Sequence, residues 1–131
     1  MRNVNPILNY LDNGKFLSSL YGDALSFCGV DLQEIKLGWD GPIARFVLCL
    51  KDFPASPPEK WRGLNTVQVE LSLFPLYEVN MTSFGRGNRC NLDIERTENG
   101  VLTVTLSGES TALFKTMSVS VDRVSALLRD S

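Results

Sequence analysis

The sequence predicts an α+β fold: a mainly antiparallel β meander of about seven strands, forming a curved sheet or half-barrel, with short N- and C-terminal helices. Three observations carry this prediction. From residue 30 onward, apolar residues recur with a period of two. Turn signals separate the apolar runs at short intervals, most clearly Asp40-Gly41 and Asn99-Gly100. Helical spacing is confined to the two ends. This order favours neighbouring antiparallel strands over alternating parallel α/β units. The chain has 131 residues, 44% of them hydrophobic and 21% charged. That composition suits a single domain over residues 1–131 with a core large enough to need no staples.

Each element has a local reason. Asn5 is placed to cap a turn opening at Pro6, and Ile7, Leu8, Tyr10 and Leu11 follow at helical spacing. Asn13-Gly14 breaks this segment. A second apolar turn runs over residues 15–21, and Gly22 is placed to end it with positive φ. Ile35, Leu37 and Trp39 then alternate with Lys36 and Gly38, up to the Asp40-Gly41 hairpin. Residues 43–50 are apolar on both faces except at Arg45, which predicts a central, doubly covered strand. Residues 66–74 alternate most cleanly: Val67, Val69, Leu71 and Leu73 point one way, and Gln68, Glu70 and Ser72 the other.

Pro75 marks a break or bulge, after which Tyr77, Val79 and Met81 are in phase. Residues 85–88, Gly-Arg-Gly-Asn, are turn material. Cys90, Leu92 and Ile94 form one strand face; beyond Asn99-Gly100, Leu102, Val104 and Leu106 form the next. A loop spans residues 108–111. The last strand covers residues 113–121, with a phase slip near Lys115 that a bulge would explain. Asp122 is placed to cap a terminal helical turn carrying Val124, Leu127 and Leu128. Phe46, Phe74, Phe84 and Phe114 lie in or at the ends of apolar runs and are expected in the core.

Composition excludes several functions. There is no histidine, which removes Ser-His-Asp and Cys-His catalysis and the commonest zinc ligand. A serine nucleophile would then need a lysine base, and no Ser-x-x-Lys occurs. Asp93 and Glu95 share an exposed strand face, which offers no difference of environment to make one an acid and the other a base. The glycines at 85 and 87 are followed by a strand, so they lack the helix N-terminus of a phosphate loop. A net charge of −2 gives no footprint for nucleic acid, and no apolar run is long enough to span a bilayer as a helix. Cys28, Cys49 and Cys90 are three and isolated. They read as reduced thiols in a cytoplasmic protein, and the N-terminus lacks a signal-peptide pattern. Neither an enzyme nor a cofactor is expected.

The stretch most open to a binding role runs from Pro54 to Arg62. Trp61 there must either fold back onto the core or meet a partner. Several features of the chain occur together in one known family. Leu20-Tyr21-Gly22 precedes the first strand, and a strand pair leads into Pro57-Pro58-Glu59-Lys60-Trp61. Asn65-Thr66-Val67-Gln68-Val69-Glu70-Leu71 follows, and then several short strands. In this the chain resembles the immunity protein 50 family of bacterial polymorphic toxin systems. The resemblance implies a cytoplasmic protein that binds and neutralises a cognate toxin stoichiometrically, without catalysis.

The candidate partner-binding residues are Lys60, Trp61 and Arg62 in the loop, and Gln68, Glu70 and Ser72 on the polar strand face. An exposed edge strand would serve either a second copy or the toxin, so monomer and homodimer stand as alternatives. The competing reading is a small-molecule or lipid-binding β domain, with a cavity between the curved sheet and the terminal helices. A large apolar cavity would favour it, and a packed interior would count against it.

Overall fold

The computed structural model describes residues 6–39, 41–85 and 87–129. β2 (Val30–Gly38), β3 (Ile43–Cys49) and the first half of β4 (Thr66–Ser83) form one antiparallel meander. β5 (Arg89–Arg96), β6 (Leu102–Gly108) and β7 (Thr111–Leu127) form a second. Two further pairings join the meanders. β7 runs antiparallel to β4 along nearly all of its length, from Ser83↔Thr111 to Thr66↔Leu127. β2 meets β5 at Val30↔Cys90 and Asp31↔Arg89. The order β7-β4-β3-β2-β5-β6 therefore returns to β7 and closes a ring. The short β1 (Leu11–Asp12) lies parallel to β7 at Val119 and Ser120, so the sheet is mixed.

The ring encloses side chains. Phe46 and Phe114 meet edge to face with centroids 5.0 Å apart, and both are fully buried. Val67, Val69, Leu71 and Leu73 on β4 point into the same core, as their alternation predicts. Leu17, on the short helix α1 (Lys15–Tyr21), and Leu25 and Phe27 in the following connection are also buried in it. Gly22 ends α1 with φ +56, and its N–H donates to the Ser18 carbonyl. The Asn99-Gly100 hairpin has positive φ at both residues, +67 and +75. The expected capping residue Asn5 and the Asp40 half of the other hairpin signal lie outside the described residues.

Three expectations need correction. The terminal helix predicted beyond Asp122 is strand, because β7 continues to Leu127. There it pairs with the start of β4, satisfying backbone groups that would otherwise stand on a free edge. Asp122 is the extra residue of a bulge between Glu70↔Arg123 and Leu71↔Val121. The bulge spaces Val121 and Val124 three apart, which imitates a helical period. Second, the bulge expected near Lys115 lies on the opposite strand: Tyr77 is the unpaired residue between Leu76↔Thr116 and Glu78↔Lys115. Third, Phe74 and Phe84 are exposed rather than in the core. Phe74 falls in the outward phase of Gln68, Glu70 and Ser72.

Candidate functional site

Residues directly opposite one another on neighbouring strands share a face of the sheet. The registers of β2, β3, β4 and β7 therefore place the polar residues of β4 in cross-strand rows on the outside of the ring. One row is Lys36, Arg45, Ser72 and Ser120; the next is Glu34, Val47, Glu70 and Arg123; a third is Asp31, Cys49, Gln68 and Ser125. Charges of both signs are interleaved here. Lys36 pairs with Glu34 at 3.7 Å, and Arg45 reaches Asp122 at 4.0 Å. Such solvent-facing pairs contribute little stability, about 0–1 kcal/mol each, and remain free to exchange for a partner's charges. Ser72 is only 9% exposed, and its hydroxyl donates to Asp122 Oδ1 at 3.0 Å. Gln68 and Glu70 are half-buried and reach the surface.

At one end of this face Asp31 is held between two guanidiniums, Arg89 at 3.1 Å and Arg129 at 3.2 Å. Arg129 is itself fixed by Asn65, whose side chain donates to the Arg129 carbonyl at 2.8 Å and accepts from its N–H at 2.9 Å. Cys49 lies across from Asp31. Burial pushes its thiol pKa up, against a lowering by Arg129. Burial raises the Cys90 thiol likewise, and Cys28 is exposed. Protonated, buried thiols are poor nucleophiles. All three cysteines are free. Among the described residues no group of three or more Asp, Glu, Cys or His side chains is arranged to hold a metal.

The loop between β3 and β4 folds back. Trp61 is 5% exposed, with Phe16 of α1 against it edge-on at 5.8 Å and Phe53 at 6.2 Å. A short 3-10 turn, Glu59–Trp61, sets this geometry, with the Trp61 N–H donating to the Pro58 carbonyl at 2.9 Å. The Tyr21 hydroxyl ties α1 to the same loop by donating to the Asp52 carbonyl at 2.7 Å. Desolvation, aided by the Asp52 charge, raises the Tyr21 pKa to about 12. Lys60 and Arg62 flank Trp61 and are exposed; Arg62 pairs with Glu59.

The six sequence-predicted residues thus form two groups, Lys60–Arg62 in the loop and Gln68, Glu70 and Ser72 on the strand that the loop enters. The sequence reading missed a third group at the far end of the same strand. Trp39, Phe74 and Tyr77 are exposed around the end of the β2–β3 hairpin. One signal marks part of this group in the sequence: Phe74 keeps the outward phase of Glu70.

Residues 13–127, most of the chain, match the family model described as Immunity protein 50. No curated protein and no solved structure matches the chain.

Proposed function

The chain belongs to the Immunity protein 50 family, and from this premise we propose that it binds a cognate toxin of a bacterial polymorphic toxin system in the cytoplasm and neutralises it by stoichiometric inhibition. The family match carries the reading. The architecture is suited to it, because inhibition by binding asks for a rigid scaffold with a specific face rather than a catalytic group. A closed ring of paired strands supplies the rigidity. The outer face around Gln68 and Glu70, with Lys60 and Arg62 at its loop end, is the proposed polar part of the interface. Exposed charge there would steer association and select the partner. Trp61 and Ser72 serve this face indirectly: one anchors the loop, the other positions Asp122. The ligand-binding alternative gains nothing from an interior filled by Phe46, Phe114 and the β4 valines and leucines.

The test is rescue. The toxin encoded beside this gene is expressed in a sensitive host with and without this protein. Rescue together with a co-purifying complex is expected. Glu70→Lys should weaken that complex by about tenfold or more while leaving thermal stability within a few degrees, as for a charge at an interface. Two soluble proteins, no rescue and no complex would overturn the reading.

A further inference from the structure

The strands of the ring are not paired throughout. β4 is joined to β3 only as far as Leu73↔Ala44. Beyond that, among the described residues, its edge on this side is used once, where the Leu76 N–H donates to the Pro42 carbonyl at 3.0 Å. Over residues 77–83 the only strand pairing with β4, among the described residues, is β7 on the other side. β2 is similar. Its edge away from β3 meets β5 at Val30 and Asp31, and the Leu32 N–H donates to the Asn88 carbonyl. Among the described residues, no strand pairs with residues 34–38 on that side. Between these two edges runs a groove of about 420 Å³, with Leu37, Trp39 and Pro42 on one wall and Leu76, Tyr77 and Val79 on the other.

The lining of this groove is apolar but for Glu78. Trp39 is 94% exposed, and Leu37 and Tyr77 53% each. Phe74, 46% exposed, lies against Gly41 of the same turn. An aromatic side chain offers about 150–250 Å² for burial, so the three aromatics leave roughly 300–500 Å² of apolar surface in water. That is the size of the largest patch on an ordinary monomer, about 300–600 Å², and such patches are often functional. An interface of ~800 Å² per partner would take in the polar rim as well. The rim is present, because Phe74 continues the outward row of Gln68, Glu70 and Ser72 along β4. The result is an apolar centre beside charged surroundings.

We propose that this groove receives an extended segment of the toxin, which adds as a strand to the edge of β4 at residues 77–83 and seats an apolar side chain between Trp39 and Tyr77. The proposal rests on the toxin-binding reading above. Unpaired N–H and C=O groups along a strand edge are a template for another extended chain, and the apolar walls supply the side-chain pocket that such recognition uses.

Amide hydrogen exchange of this protein, alone and bound to a catalytically inactivated form of the neighbouring toxin, tests the placement. Residues 77–83 should gain protection in the complex. Trp39→Ala should weaken binding by about 30-fold or more, as a central aromatic anchor does. It should leave the melting temperature unchanged, since this side chain is already in water. Tyr77→Ala should act in the same direction. If the wild-type chain rescues the host but protection appears only around Gln68–Ser72, the groove is overturned and the immunity function stands. If neither rescue nor a complex is obtained, both fall. If the free protein sediments as a dimer that Trp39→Ala dissociates, with residues 77–83 already protected, the occupant is a second copy and the proposal is overturned.

Discussion

Trp39 and Trp61 have the same side chain in opposite settings, and local context decides which is which. Trp61 ends a one-turn 3-10 segment that aims it at Phe16 and Phe53, where it joins the buried core. Trp39 stands in a hairpin turn between Gly38 and the Asp40-Gly41 pair, and nothing folds over it. Both tryptophans sit next to turn-forming residues in the sequence, so the local pattern alone gives no ranking between them. The fold-back reading of Trp61 holds, with a consequence for its use as a probe: its removal is a core truncation. Trp61→Ala should cost about 3–5 kcal/mol, read as a lowered urea midpoint. A cost below about 1 kcal/mol would mean that the loop does not hold α1 in solution.

At the scale of elements, the strands legible in the sequence are those whose faces differ strongly. The run Val67, Val69, Leu71, Leu73 is inside and Gln68, Glu70 is outside, as the alternation states. The end of β7 was not legible, because a bulge at Asp122 shifts the period and only the distant pairing with β4 reveals the strand. The candidate site was half legible for the same reason: Gln68 and Glu70 follow from alternation, while the groove depends on where β4 outruns β3. Turns test the local logic directly. Gly108 ends β6 with φ +135, and a Cβ there would stand 2.8 Å from the Arg89 carbonyl oxygen and 2.9 Å from Cys90 Cα. Gly100 has φ +75 with no atom within 4 Å of the same position. Gly108→Ala should therefore destabilise by about 3 kcal/mol or more, combining backbone strain with a backbone clash. Gly100→Ala should cost only about 1 kcal/mol, from φ alone. Thermal denaturation of the two variants side by side reads the difference; equal losses would mean that φ, not the approach of β5, dominates at Gly108.

For the molecule as a whole, the least secured part of the ring is its closure between β2 and β5. The β4–β7 pairing extends along nearly the whole of β7, whereas β2 and β5 share only Val30↔Cys90 and Asp31↔Arg89. Sequence patterning foresaw a curved sheet and not this closure, since it joins strands far apart in the chain and leaves no mark on local periodicity. Side chains reinforce it. Asp31 takes Arg89 from β5 and Arg129 from the chain following β7, so one carboxylate ties three segments together. Its side chain is 18% exposed against 58% and 38% for the two arginines. The partners are thus well solvated, and the contribution is larger than that of a surface pair but far below that of a buried one. Asp31→Asn should cost about 1–2 kcal/mol. The loss should be uneven across the molecule: amides of the β2–β5 contact should exchange faster while those of β4 and β7 keep their protection, because local opening follows the least supported pairing. High salt should reproduce part of this in the wild type by screening the arginines. If exchange at Val30, Asp31 and Cys90 is the same in Asp31→Asn as in the wild type, the two backbone pairs and the packing of Val30 and Cys90 close the ring without help from charge.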